Sequence, residues 1–248
     1  MRTLVITPTY NEAVNIEEFL RQARAALPDA DILVVDDGSP DGTADLAEKA
    51  GKDLGHVDVL RRTEKQGLGE AYRAGFAVGI ERGYEVLIEI DADLSHDPAV
   101  LPQLTAEIER GADLAIGSRY VPGGATPSWP WYRRALSRYG CMYSAFMLRL
   151  KVRDLTAGYR AYRATALQNV DYASTRANGY GFQIELTYRV ALNGGRIVEV
   201  PIVFTDRVRG TSKMSGRIAV EAILLVTWWG IRDLFKRRPK PVRVDSTT

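Results

Sequence analysis

Two carboxylates, Asp91 and Asp93, close the apolar run Val86–Ile90 with a single alanine between them. In an extended backbone, residues two apart point to the same side, so both side chains can converge on one divalent cation. Carboxylate, phosphate and water oxygens suit Mg²⁺ or Mn²⁺, and an ion so placed would hold a pyrophosphate. Read without a ligand, the same residues make a solvated turn with helix-capping aspartates. A second acidic pair, Asp36 and Asp37, closes the β-branched run Ile32–Val35. Acids at strand ends bind ribose or base edges in dinucleotide folds, while Asp, Gly, Ser and Pro also build Asx-type turns unaided. Both readings are expected here. Gly38, Pro40 and Gly42 shape the turn, and Asp37 faces a nucleotide.

The basic residues fall into three groups. Arg119 follows Gly117-Ser118; Arg133, Arg134 and Ser137 share about one helical turn; Arg207, Arg209 and Lys213 sit in a Gly- and Ser-containing loop. Arginine forks match phosphate oxygens, and lysine supplies a compact point charge. Any one group could be a solvated surface. Three of them around an acidic metal site point to two phosphorylated substrates.

The elements that must carry these residues alternate in the first half. Leu4–Ile6 reads as a strand, then Ile16, Phe19, Leu20, Ala23 and Leu27 recur at helical spacing, with Asn15 and Glu18 at capping-box positions. Strands follow at Ile32–Val35, Val57–Leu60, Val86–Ile90 and Ala112–Ile116, with helices between them and Pro98 in the first turn of the last one. This βαβα rhythm predicts an α/β fold with a mostly parallel sheet and helices on both faces. Ligands in such sheets bind beyond the carboxyl ends of the strands. The polar clusters Pro8–Glu12, Asp36–Thr43 and Asp91–His96 all follow strands. From about Ser118 the rhythm lapses: a Gly-Pro-Trp loop over Pro122–Pro130, an amphipathic helix over Tyr132–Leu150, a strand over Arg196–Phe204, and a helix over Ile218–Phe235.

Bulk properties narrow the class. The 248 residues are 46% hydrophobic and 26% charged, with a net charge of +2 that leaves no basic excess for nucleic acid. The single cysteine, Cys141, excludes an internal disulfide and fits a reducing cytosol, where it serves as a small buried hydrophobe. The run Ala219–Ile231 is too short to span a bilayer. The apolar residues and indoles of the helix Ile218–Phe235 (Ile223, Leu224, Val226, Trp228, Trp229, Ile231, Leu234), with the basic cluster Arg232–Arg243, predict peripheral docking on a membrane surface. The competing reading packs this helix on the core.

Pro8-Thr9-Tyr10-Asn11-Glu12, Val34–Thr43 and Asp91-Ala92-Asp93-Leu94-Ser95-His96 resemble the three successive signatures of family 2 glycosyltransferases. Ser39–Thr43, Gly117–Tyr120, Asp154–Arg160 and Arg207–Lys213 narrow the resemblance to polyprenol- or dolichol-phosphate mannosyltransferases. It runs in order along nearly the whole chain. It implies a GT-A (nucleotide-diphospho-sugar transferase, Rossmann-like) fold over residues 1–235, with a nucleotide-sugar half at 1–117, an acceptor half at 118–235 and a basic tail at 236–248. It implies a donor pocket of Pro8, Tyr10, Glu12, Val35, Asp37, Asp91 and Ala92, closed by Arg207 and Lys213. A metal, Mg²⁺ or Mn²⁺, is implied at Asp93, with Asp91 and with Ser95, where many relatives carry Gln and serine is the shorter, weaker ligand. Arg119, Arg133 and Ser137 would hold the lipid phosphate.

The implied reaction takes mannose from GDP-mannose to polyprenyl phosphate with inversion, on the cytoplasmic face of a membrane, with room for a membrane-anchored partner protein. The acceptor phosphate is already anionic, so no histidine base is required. Asp91, Asp93, Arg119 and Lys213 would carry catalysis through alignment and charge stabilisation. A UDP-glucose-dependent relative is the main competitor. A haloacid-dehalogenase-type phosphohydrolase is a weaker one, because Asp91 is mid-chain and no later acidic pair accompanies it. A nicotinamide dehydrogenase is disfavoured because no Gly-x-Gly-x-x-Gly follows the first strand.

Overall fold

The computed structural model describes residues 1–177, 179–206, 216–235 and 244–246. In chain order the elements are β1 (Thr3–Thr9), α1 (Ile16–Ala26), β2 (Asp31–Asp36), α2 (Thr43–Leu54), β3 (Val57–Arg61), α3 (Leu68–Glu81), β4 (Val86–Glu89), α4 (Leu101–Glu109) and β5 (Leu114–Ser118). There follow α5 (Trp131–Leu148), β6 (Arg160–Arg163), α6 (Ala164–Asn169), α7 (Tyr180–Leu192), β7 (Ile197–Pro201), α8 (Gly216–Arg232) and β8 (Val244–Ser246).

The strands form one sheet in the order β3-β2-β1-β4-β6-β5-β7-β8. All neighbours are parallel except β6, which runs antiparallel to both β4 and β5. Strand order reverses at β1 and β4, so the crevice of a doubly wound sheet opens beyond their carboxyl ends. Hydrophobic cores lie on both sheet faces, one built around Ile6, Leu87, Phe76 and Phe182, the other around Val5, Ile88, Phe19 and Leu104. Helix α3 lies very close to the sheet. A Cβ on Gly75 or Gly79 would overlap the side chains of Ile6 or Leu87, so only glycine permits that approach.

Local details correct the sequence reading in three places. Asn15 makes no side-chain cap on α1; it donates to Glu12 Oε2 at 2.9 Å, and the Glu12 carbonyl takes the Asn15 and Ile16 amides. The strand expected over Arg196–Phe204 is only Ile197–Pro201, beyond which Val203 makes a single bridge to Ala125. Elements β6, α6, α7 and β8 were not anticipated. Helix α7 is buried on nearly every side, so it shows no polar face to betray its period. Strand β6 begins with Arg160, which is fully buried and donates to the Ala157, Leu155 and Gln183 carbonyls and to Thr187 Oγ1. A central strand opening on an arginine is outside any hydrophobic pattern.

Candidate active site

The loops after β1 and β2 are laced together. The amides of Asn11, Glu12 and Ala13 donate to Ser39 Oγ, Thr43 Oγ1 and Asp41 Oδ2, each at 3.0 Å. Asp36 is the structural member of its pair, accepting from Thr9 Oγ1 and from the amide and hydroxyl of Ser39. Asp37 has a different partner. It is paired with Arg62 Nη1 at 2.8 Å, and burial pushes its carboxyl up although Arg62 opposes the shift. Arg62 was not singled out from sequence. Tyr10 lies under Lys65 Nζ, 4.5 Å from its ring centre, and Pro8 is half-buried at the end of β1. The side chains of Val35 and Ala92 belong to the core, leaving only their main chains for a ligand.

Strand β4 stops at Glu89, and Ala92–Asp93 form a turn followed by Leu94 in the left-handed region at φ +60°. The alternation of an extended strand therefore does not aim Asp91 and Asp93; a tight turn does. A non-glycine residue at positive φ is backbone strain of the kind held at functional loops. Asp93 is buried and accepts the Ser95 amide at 3.0 Å, and the half-buried Asp91 meets the Tyr72 hydroxyl at 3.4 Å. Beneath them Glu89 is fully buried; desolvation raises its carboxyl to about 8, and Gln183 Nε2 donates to it at 2.8 Å.

His96, at the far end of this turn, was given no role from sequence. It is buried with Nδ1 lacking a hydrogen-bond partner. Desolvation, aided by Arg119 and opposed by Asp93, lowers it to about 4, so it is neutral near pH 7. Its ring lies tilted against Tyr159 at 5.2 Å and edge-to-face with Phe204 at 5.0 Å, and Phe204 meets Trp129 edge-to-face at 5.4 Å. This aromatic row leads directly to the basic residues. The Arg119 guanidinium lies 5.3 Å from Trp129 and 5.8 Å from Phe204, and that of Arg133 lies 4.2 Å from Trp129.

Arg119 is not an open fork. It is 7% exposed and grips Asp154 through Nε and Nη2, both at 2.7 Å, and through its amide at 3.0 Å. Nη2 also donates to Thr156 Oγ1 at 2.8 Å, so Nη1 alone has no partner among the described residues. Asp154 is held in turn by its own amide on Glu199. Arg133 pairs with Asp206 at 3.0 Å, and Ser137 accepts the Tyr120 hydroxyl at 2.6 Å. Asp154, Tyr120 and Trp129 are partners that only the folded chain reveals. Arg207, Arg209 and Lys213 lie outside the described residues. The Ser95 carbonyl accepts the amide of Thr205, two residues before Arg207, at 3.1 Å.

Comparison with known proteins gives the family and the fold. Residues 4–171 match the model of glycosyl transferase family 2. The chain is 52% identical over 243 residues to the polyprenol monophosphomannose synthase of Mycolicibacterium smegmatis, covering 98% of this chain and 92% of that protein. It is 53% identical over 231 residues to the undecaprenyl-phosphate mannosyltransferase of Micrococcus luteus, covering 93% and 95%. Among solved structures, a mannosyltransferase from Pyrobaculum calidifontis with GDP-Man and Mn²⁺ superposes with a TM-score of 0.66 at 19% identity, covering 97% of this chain and 66% of that one. Glucosyl-3-phosphoglycerate synthase from Mycobacterium tuberculosis, with Mn²⁺ and UDP, gives 0.66 at 20% identity over 92% and 80%. These structural likenesses carry the GT-A fold. From the family signature and the length of the shared sequence, the chain belongs to glycosyl transferase family 2 and, within it, to the polyprenyl-phosphate mannosyltransferases.

Proposed function

We propose that this enzyme transfers mannose from GDP-mannose to a membrane-borne polyprenyl phosphate, inverting the anomeric centre. The observation that carries the reading is the row His96–Phe204–Trp129, which runs from the carboxylate turn to Arg119 and Arg133. Residues 1–117 would then serve the donor and 118–235 the acceptor. The lipid phosphate would meet Arg119 Nη1, Arg133 and Ser137. An anionic phosphate needs no proton removed, which agrees with a neutral, buried His96. The contribution of these residues is alignment of the acceptor oxygen behind the anomeric carbon.

Among the described residues no three of His, Cys, Asp and Glu form a ready-made metal set. That fits Mg²⁺ or Mn²⁺, which one or two carboxylates hold together with substrate phosphates. Asp91, Asp93 and Ser95 would hold it, and the partnerless Nδ1 of His96 marks the same turn as an unsatisfied polar site. Such an ion supplies charge to the departing diphosphate.

Among the described residues no helix is long and apolar enough to cross a membrane. The last helix divides its apolar residues: Val226 and Trp229 are buried, while Ile223, Leu224, Trp228, Ile231 and Leu234 are exposed. Helix α5 packs beside it, with the Tyr143 and Thr227 hydroxyls 2.6 Å apart, and leaves Trp131, Leu136, Tyr139, Met142 and Phe146 uncovered. This two-helix face supports peripheral docking, on the cytoplasmic leaflet where the nucleotide sugar is available. Of the expected basic cluster, Arg232 pairs with Asp233 at 2.8 Å, and 236–243 lie outside the described residues. The deciding experiment incubates the protein with labelled GDP-mannose or UDP-glucose and polyprenyl phosphate, then extracts lipid-linked sugar. Transfer from UDP-glucose alone would refute the donor assignment.

A further inference from the structure

Beneath the carboxylate turn lies a buried aromatic layer that meets one of its two aspartates. Tyr72 shares a face of α3 with Gly75, Phe76 and Gly79, which follow it at helical spacing. The two glycines bring that face down onto Ile6 and Leu87, and Tyr72 is left with no exposed surface. Its ring stacks on Phe182 of α7, with centres 6.2 Å apart and planes within 2°, and on Phe76 at 6.2 Å. Phe76 is held in turn by edge contacts with Tyr162 and Tyr172, both at 5.6 Å.

A ring fixed on both sides aims its hydroxyl in one direction, and there it meets Asp91 Oδ1 at 3.4 Å. A phenol keeps its proton near pH 7, so Tyr72 donates and the carboxylate accepts. Because Tyr72 is fully buried, it reaches a bound molecule only through Asp91. The next residue of α7 braces the same strand end. Gln183 Nε2 donates to Glu89, two residues before Asp91, at 2.8 Å. The first turn of α7 therefore supports the end of β4 twice, through Phe182 under Tyr72 and through Gln183 on Glu89.

We propose that Tyr72 is a positioning residue of the donor site, its hydroxyl orienting the Asp91 carboxylate toward a divalent cation and the donor diphosphate. The inference rests on the reading of Asp91 as a metal ligand. A half-buried carboxylate on a turn must lose rotational freedom when it binds an ion, and a donor that holds it beforehand lowers that cost. Loss of such an outer partner weakens metal binding or activity by roughly 10–100-fold. The brace comes from α7, beyond residue 117, so the acceptor half helps to set the geometry of the donor half.

The test compares two substitutions in the full chain. Tyr72→Phe removes the hydroxyl and keeps the ring stack. Tyr162→Phe removes a hydroxyl that is equally buried in the same layer but does not meet Asp91. Calorimetry of Mn²⁺ binding in the presence of GDP should show Kd raised roughly ten-fold or more by Tyr72→Phe and little changed by Tyr162→Phe. At limiting Mn²⁺, Tyr72→Phe should lower kcat, with recovery as Mn²⁺ is raised and KM for polyprenyl phosphate unchanged. A wild-type Mn²⁺ Kd in Tyr72→Phe, or an equal rise in both variants, would overturn the assignment. Failure of the wild type itself to bind Mn²⁺ with GDP would instead refute the metal reading of Asp91, and the inference with it.

Discussion

Asp154→Ala is the most informative single substitution, because Asp154 is the counter-charge to a nearly buried arginine. Asp154 is fully buried and Arg119 is 7% exposed, with two 2.7 Å side-chain hydrogen bonds between them. Removing one partner of such a pair strands the other charge and costs about 3–5 kcal/mol. For a domain of this size that lowers Tm by roughly 6–20 °C. Removing both, in Arg119→Met/Asp154→Ala, should cost less than Asp154→Ala alone, since no charge is left unpaired.

The reverse single change adds a pH signature. In the native protein Asp154 is desolvated by burial, yet Arg119 more than compensates and holds its carboxyl below the usual range. That stability is present above the unfolded carboxyl's value of about 3.9 and is lost as pH falls through the folded one. In Arg119→Met the desolvation is opposed only by the residue 119 amide and the more distant Arg160, and the folded pKa should rise above the unfolded one. The variant then loses stability as pH climbs, by about 1.4 kcal/mol per unit from about pH 4 until Asp154 ionises in the fold. Urea titrations of wild type and variant between pH 4 and 7 measure this widening gap. A gap constant across that range, or a cost below about 1 kcal/mol for Asp154→Ala, would refute the buried-pair reasoning.

Three further outcomes are expected. Asp93→Ala should abolish transfer and weaken Mn²⁺ binding in the presence of GDP by calorimetry, with the circular dichroism spectrum unchanged; Mn²⁺ binding equal to the wild type's would remove Asp93 from the metal site. Tyr120→Phe, which takes away the hydroxyl donated to Ser137 at 2.6 Å, should raise KM for the lipid phosphate several-fold with little change for GDP-mannose, a split that steady-state kinetics reads directly. Cys141 is buried and its thiol is pushed up to about 11, chiefly by desolvation, so iodoacetamide at pH 8 should label it only after unfolding; rapid labelling of the native protein would contradict its burial.

What could be read from the residues alone was local and periodic. Short apolar runs such as Ile32–Val35 before Asp36 and Val86–Ile90 before Asp91 mark strands that stop at polar loops, and the βαβα order places those loops on one edge of the sheet. That sufficed for the α/β class and for the clusters Pro8–Glu12, Asp36–Thr43 and Asp91–His96. Tertiary structure decided whatever depends on residues distant in sequence. Asp154 clamps Arg119 from 35 positions away, Phe204 meets His96 and Trp129 from another strand's end, and Arg160 is buried in β6 only because α7 supplies Gln183 and Thr187. The amphipathic pattern of α5 likewise predicts a helix but not which apolar residues stay uncovered. Periodicity records how a segment is built, whereas pairing and exposure depend on which other segments pack against it, and those arrive from elsewhere in the chain.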